Sequence, residues 1–281
     1  MTKQDFEATV VSNDLVRRYH VHLPHDRDSS SSFPLFIALH GRLGTGKKMI
    51  EQTRFNDIAD REGFIIVYPE GFKRSWADGR GITHADKRGV DDVAFIDQLI
   101  GVLQRKFPVD HARIFVAGYS NGGFMAQRMA IERSHHFAAV AVVAASLSDW
   151  LASRFFPGRP MPALFINGTA DPVTPYEGGR QPSGASILSV EDTVKTWVHF
   201  NGCKQPAEVQ AIHGLGDGTH ISVYTYKACK HRSQVKFFKV VGGGHVWPGE
   251  TEGLSLSGAV RTGQQMDASK EIWKFFKRSI V

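Results

Sequence analysis

A serine hydroxyl attacks a carbonyl only where a base can take its proton and the chain holds its oxygen in reach. Ser120 stands in a pattern that supplies such a place: Arg113-Ile-Phe-Val-Ala-Gly-Tyr-Ser-Asn-Gly-Gly-Phe-Met-Ala126, an apolar strand running through Gly-x-Ser-x-Gly straight into a helix. A five-residue match alone is common by chance, but a strand before it and a helix after it make it specific. Gly118, Gly122 and Gly123 carry no side chains to collide where strand and helix backbones approach. The helix start at Asn121 aims backbone N–H groups at developing negative charge.

On this kind of turn the acid and the base follow the serine in the order Ser, Asp or Glu, His, each on a loop beyond a later strand. After Ala163-Leu-Phe-Ile166 comes Asn-Gly-Thr-Ala-Asp-Pro-Val-Thr-Pro175, which puts Asp171 on a turn at a strand's C-terminal end. The strand Val235 to Val241 leads into Gly242-Gly-Gly-His-Val-Trp-Pro-Gly249 and carries His245 back over the same edge. Thirteen histidines compete for the role of base, and only His245 has this placement. His135 and His136 close a helix, His199 sits within one, and His213, His220 and His231 fall in a polar hairpin region. Ser120, His245 and Asp171 together predict a serine ester hydrolase working through an acyl-enzyme.

Such a reaction also needs two N–H donors for the tetrahedral oxyanion. The backbones of Asn121 and Arg42 are the expected pair, with Leu43 as the alternative to Arg42 in Ala38-Leu-His-Gly-Arg-Leu-Gly44. The same loop offers a reading from another class, because Gly41-Arg-Leu-Gly-Thr-Gly-Lys-Lys48 nearly matches the phosphate-binding G-x-x-x-x-G-K-[ST]. The match fails where magnesium needs a hydroxyl, since position 48 is Lys48. Trp76, Tyr119, Trp150 and Trp247 are candidates to flank the cleft and stack on a ring; core packing is the better reading for Trp150, leaving Trp76, Tyr119 and Trp247 as expected substrate contacts.

These residues need a scaffold, and the chain alternates short apolar runs with amphipathic segments, the pattern of a mostly parallel central sheet with helices on both faces. The runs are Val16 to Leu23, Pro34 to Leu39, Phe64 to Tyr68, Arg113 to Ala117, Phe137 to Ala144, Ala163 to Ile166 and Val235 to Val241. Most are continuously apolar, as strands buried on both faces are, whereas the first alternates like an antiparallel edge. Helices are predicted over Asp92 to Phe107, N-capped by Asp91, and over Asn121 to Glu132, Val190 to Phe200 and Ala268 to Arg278. Ser29 to Ser32 is a polar loop. With no linker or repeat, residues 1–281 read as one α/β domain. Only a short segment separates the runs ending at Ala144 and starting at Ala163, so no large lid is expected.

A net charge of +6 and a pI near 9.3 come from dispersed Lys and Arg rather than a basic run, which argues against a nucleic-acid partner. No apolar stretch reaches the roughly 20 residues of a membrane span. Cys203 and Cys229 lack CxxC spacing, which disfavours a zinc or dithiol redox site and leaves one disulfide or two quiet thiols. No cofactor and no metal are expected.

Taken together, several motifs resemble one family. They are Leu39-His-Gly41, Tyr68-Pro-Glu-Gly71 with Trp76, Val90-Asp-Asp-Val-Ala-Phe-Ile96, Gly118-Tyr-Ser-Asn-Gly-Gly123, Gly168-Thr-Ala-Asp171 with Pro175-Tyr-Glu-Gly-Gly179, Trp197 with Asn201-Gly-Cys203, and Gly244-His-Val-Trp-Pro-Gly249. The chain is similar to extracellular polyhydroxybutyrate depolymerase-like and feruloyl esterase-like proteins of carbohydrate esterase family one. That resemblance implies an α/β-hydrolase fold, the triad Ser120, Asp171 and His245, and a disulfide between Cys203 and Cys229. It departs at Arg42 and Leu43, where many relatives carry a cysteine or a glycine-rich stretch. The implied substrates are feruloyl or acetyl esters of plant polysaccharide, with short polyhydroxyalkanoate esters as the alternative. The N-terminus MTKQDFEATV has no export pattern, yet the implied disulfide favours a secreted or periplasmic enzyme.

Overall fold

A computed structural model describes residues 4–25, 32–204, 206–212, 218–250 and 266–279. Ser29 to Ser31 of the polar loop, and His213, lie outside the described residues. In chain order the elements are β1 (Asp5–Ser12), β2 (Leu15–His22), β3 (Phe33–Leu39), α1 (Gly46–Thr53), α2 (Phe55–Glu62), β4 (Ile65–Pro69), α3 (His84–Arg88), α4 (Asp92–Lys106), β5 (Val109–Tyr119), α5 (Asn121–Glu132), β6 (Ala139–Val143), α6 (Asp149–Ala152) and β7 (Ala163–Gly168). The small ribbon β8 (Gly179–Arg180) and β9 (Ser186–Ile187) follows, then α7 (Val190–Phe200), β10 (Glu208–Ile212), β11 (His220–Tyr226), β12 (Val235–Val241) and α8 (Ala268–Arg278).

Ten strands form one sheet in the order β1-β2-β4-β3-β5-β6-β7-β12-β11-β10. The central run from β4 to β12 is parallel. Antiparallel strands finish both sides: β1 and β2 on one, β11 and β10 on the other. The pleat sorts each central strand between two layers. Leu35, Ile37 and Leu39 of β3 face the layer built with α4, α5 and α7, whereas Phe36 and Ala38 face the layer with α1, α2 and α8. The uninterrupted apolar runs therefore meant burial on both faces.

Two expectations change at the margins. The alternating β2 is not the outermost strand, because β1 pairs with it across a two-residue turn. There Asn13 and Asp14 take φ of 48° and 61°, the left-handed pair that a tight hairpin needs. β10, with four of its five residues exposed, alternates Val209 and Ala211 with Glu208 and Gln210 over too few residues to stand out. Likewise α1, α2, α3 and α6 are too short for periodicity to declare them. The four helices that were predicted all form, and Asp91 caps α4 by accepting from the Ala94 N–H at 2.9 Å.

Register brings the functional loops to one edge. Leu39 pairs with Gly118, and Gly168 with Val240, so β3, β5, β7 and β12 all end on the same side of the sheet. Between β6 and β7 the only helix is α6, of four residues, so the segment forms no large lid. Among the described residues no helix is long and apolar enough to cross a membrane.

Candidate active site

β5 delivers Ser120 to the sheet edge in a strained backbone, φ 53° and ψ −120°, a region that costs a non-glycine residue about 1–3 kcal/mol. Packing sustains the strain. A side chain at Gly118 would strike the carbonyl of Gly122, and one at Gly122 would strike the carbonyl of Leu39, so the crossing of β3, β5 and α5 requires glycine at both.

The Ser120 hydroxyl donates to Nε2 of His245 at 2.8 Å, and the His245 Nδ1–H donates to Oδ2 of Asp171 at 2.7 Å. The other Asp171 oxygen accepts from the N–H groups of Val173 and Thr174, both at 2.8 Å. The carboxylate is thus saturated and 1% exposed, against 13% for the imidazole. The two loops are stitched together: the Ala170 N–H donates to the Gly243 carbonyl, and the Gly242 N–H to the Thr169 hydroxyl. This arrangement supports one proton transfer from serine to a correctly oriented histidine.

Across from Ser120 lies the loop after β3. A side chain built on Gly41 would sit 3.4 Å from the Ser120 Cβ, so this backbone borders the nucleophile. The Leu43 N–H is committed to the Arg74 carbonyl at 2.8 Å, which favours Arg42 over Leu43 as the second oxyanion donor beside Asn121. The near-match to a phosphate loop has another occupant. Oε1 of Glu70 accepts from the Gly46 N–H at 2.8 Å, placing a carboxylate at the helix start where a phosphate would have to sit.

Two of the three aromatic expectations, Trp76 and Trp247, need correction. Trp76 is fully buried and its indole N–H donates to the His40 carbonyl at 2.8 Å, so it braces the loop after β3 instead of facing a ligand. Trp247 is 1% exposed; it donates to the Ser269 hydroxyl at 3.0 Å and meets Phe55 edge-on. Tyr119 is half-buried and gives its phenol proton to the His245 carbonyl at 2.8 Å. Burial pushes that phenol's pKa up, which keeps it a donor, so Tyr119 anchors the histidine. Trp150 is half-buried against the loop at Gly79.

A set of buried polar groups that sequence reading missed supports these loops. The His40 Nδ1–H donates to the Gly41 carbonyl at 2.8 Å while Nε2 accepts from the Gly71 N–H at 2.9 Å, which fixes a neutral tautomer. Burial lowers its pKa accordingly. The Asn121 side chain clamps both backbone groups of Trp76 and donates to Asp78. Asp78 holds Arg80, which reaches Oε1 of Gln181 at 2.7 Å, and the Gln181 amide donates to the Val173 carbonyl at 3.2 Å. A polar chain therefore runs from the turn at Ser120 to the loop that carries Asp171. Asp92 adds a second tie, accepting from Arg17 at 2.6 Å and from the Ala77 N–H at 2.7 Å. The motifs Leu39-His-Gly41 and Val90-Asp-Asp contained two of these residues, but nothing local announced their partners.

With this geometry in place, similarity to known proteins is decisive. The family described as Esterase PHB depolymerase matches residues 18–153, which include Ser120. NocK of Nocardia uniformis subsp. tsuyamanensis is 30% identical over 269 residues, covering 87% of this chain and 76% of its own. The chain belongs to the PHB depolymerase-type esterase family. It is a carboxylic-ester hydrolase of the α/β-hydrolase fold. Feruloyl esterase C of Emericella nidulans is 31% identical over 227 residues, or 74% of this chain and 78% of that protein. In fold the chain is similar to the acetyl xylan esterase from Aspergillus awamori, with a TM-score of 0.61 at 18% identity over 86% of this chain and 94% of the other. The disulfide that the resemblance implied joins Cys203, just after α7, to Cys229, between β11 and β12.

Proposed function

We propose that Ser120, His245 and Asp171 are the catalytic triad and that the enzyme cleaves feruloyl or acetyl esters of plant polysaccharide. The observation that carries this is the pair of serial hydrogen bonds, 2.8 and 2.7 Å, converging on a serine held in a strained turn. Ser120 Oγ bonds to the ester carbonyl carbon as its proton passes to His245 Nε2. The oxyanion is met by the N–H groups of Arg42 and Asn121. When the intermediate collapses, the carbon–alkoxide bond breaks and His245 returns the proton to the departing alcohol. Water then repeats the sequence on the acyl-enzyme and releases the acid. The short connection between β6 and β7, with α6 its only helix, suits a polymer-borne ester better than a lidded lipid cleft would. The family's description favours a second reading, hydrolysis of short hydroxyalkanoate esters.

We further infer that residues 1–281 work as one catalytic domain and that the enzyme is secreted or periplasmic, which the Cys203–Cys229 disulfide supports. The deciding experiment compares kcat/KM on methyl ferulate, an acetylated xylo-oligosaccharide and a hydroxybutyrate trimer. Preference for either of the first two is expected, and preference for the trimer selects the second reading. Ser120→Ala should remove hydrolysis of every ester, by about 10⁴-fold or more, without changing the far-UV spectrum. Turnover near that of the parent enzyme would reject the serine mechanism.

A further inference from the structure

From α6 to β7 the chain descends along α5, from the sheet edge that carries Ser120 to the opposite one. Contacts track the descent: the Gly158 N–H donates to the Ser134 hydroxyl, and Arg159 to the Phe137 carbonyl. At the upper end the half-buried Trp150 lies against Gly79, next to the Asp78 that Asn121 binds, with the guanidinium groups of Arg128 and Arg154 at 5.2 and 4.7 Å from its ring. At the lower end a pocket of about 420 Å³ opens between Ile131, His135, Arg154, Phe156 and Arg159. That volume lies within the roughly 300–1,000 Å³ of small-molecule sites.

The lining is unusual in two ways. Phe156 is 82% exposed, the most open large apolar side chain among the described residues, and it stands beside cations instead of a core. Glu132 also lines the pocket, but Arg128 already holds its carboxylate at 2.7 Å, so Arg154 and Arg159 leave the pocket with net positive charge. Each of these arginines spends some N–H groups on nearby carbonyl or hydroxyl oxygens, and a guanidinium has five to offer.

We propose that this strip and pocket form a docking site for a uronate-bearing polysaccharide, separate from the triad. Uronate carboxylates match the guanidinium fork, and the C–H face of a pyranose ring packs on an exposed aromatic ring. The ladder of Arg154, Trp150 and Arg128 leads from the pocket toward the loop that Asn121 clamps, so an anchored chain is guided to the nucleophile edge. α5 separates the two ends by about 18 Å, a span of a few sugar residues. The net charge of +6 favours the encounter with an acidic polymer. The polysaccharide assignment rests on the plant-polysaccharide substrate proposed above.

Affinity electrophoresis of the Ser120→Ala protein through polygalacturonate and through neutral arabinoxylan tests the proposal. Retardation by polygalacturonate alone is expected, weakened by high salt. Phe156→Ala and Arg154→Gln should each weaken it about fivefold or more. In the active enzyme the same two substitutions should leave kcat/KM for p-nitrophenyl acetate unchanged. No retardation, equal retardation by arabinoxylan, or retardation that both variants retain would overturn the docking site. A parent enzyme that prefers the hydroxybutyrate trimer but is retarded in this pattern would instead overturn the plant-polysaccharide substrate and leave the site standing.

Discussion

At the scale of single residues, the chemistry rests on how few options each group retains. Asp171 has one oxygen consumed by two backbone N–H groups and the other by His245, so it cannot rotate away. Asp171→Asn would present an amide where a carboxylate must accept the Nδ1 proton, reversing the tautomer. A fall in kcat of about 10³–10⁴-fold is expected, measured on p-nitrophenyl acetate. Full activity would move the role to another acid such as Asp149. Trp247 teaches the opposite lesson. Two residues beyond His245 it has the look of a substrate platform, yet it is buried over Phe55 and bonded to Ser269. Trp247→Ala should therefore cost about 3–5 kcal/mol of stability in urea titrations and lower kcat alike for feruloyl and acetyl esters. A loss confined to feruloyl esters would restore the platform role.

At the scale of elements, buried polar side chains couple segments that the sheet alone does not join. Asp92, at the start of α4, binds Arg17 on β2 and the backbone of Ala77 in the loop beneath Asn121. Burial pushes the Asp92 carboxyl's pKa up, and the Arg17 guanidinium pulls it back down. Asp92→Ala leaves Arg17 buried, only 4% exposed, without its carboxylate. A destabilisation of about 3–5 kcal/mol by urea unfolding is expected, and a change near zero would show that Arg17 finds water instead. Asn201 plays a comparable part at the far side, joining α7 to Met161 and Ser233 beside the disulfide.

At the scale of the whole molecule, His40 links the loop after β3 to pH. Its folded pKa is lowered by burial, so the unfolded chain takes up the proton first as the solution is acidified. The contribution is complete above the ordinary histidine value near 6.5 and declines as pH falls from there toward the folded value. Unfolding free energy should drop by up to about 1.4 kcal/mol per pH unit from this group alone. His40→Gln should unfold with a shallower dependence between pH 7 and 5, readable from urea titrations at each pH. Identical slopes would assign the acid sensitivity to other groups.

From the sequence by itself came the parallel core strands, the four longer helices and the order Ser120, Asp171, His245, because those signals are local. A buried strand is apolar along its whole length, a cap precedes its helix, and a strand followed by a turn marks a sheet edge. The short helices and the exposed strand β10 left no such mark. What only the tertiary structure decided is where each aromatic ring points and how the loops are held. Trp76 is buried because His40 and Asn121, 36 and 45 residues away, supply its partners. Arg80 meets Gln181 across 101 residues. Burial and hydrogen bonding of this kind depend on neighbours brought together by packing, and neither periodicity nor motif spacing records who those neighbours are.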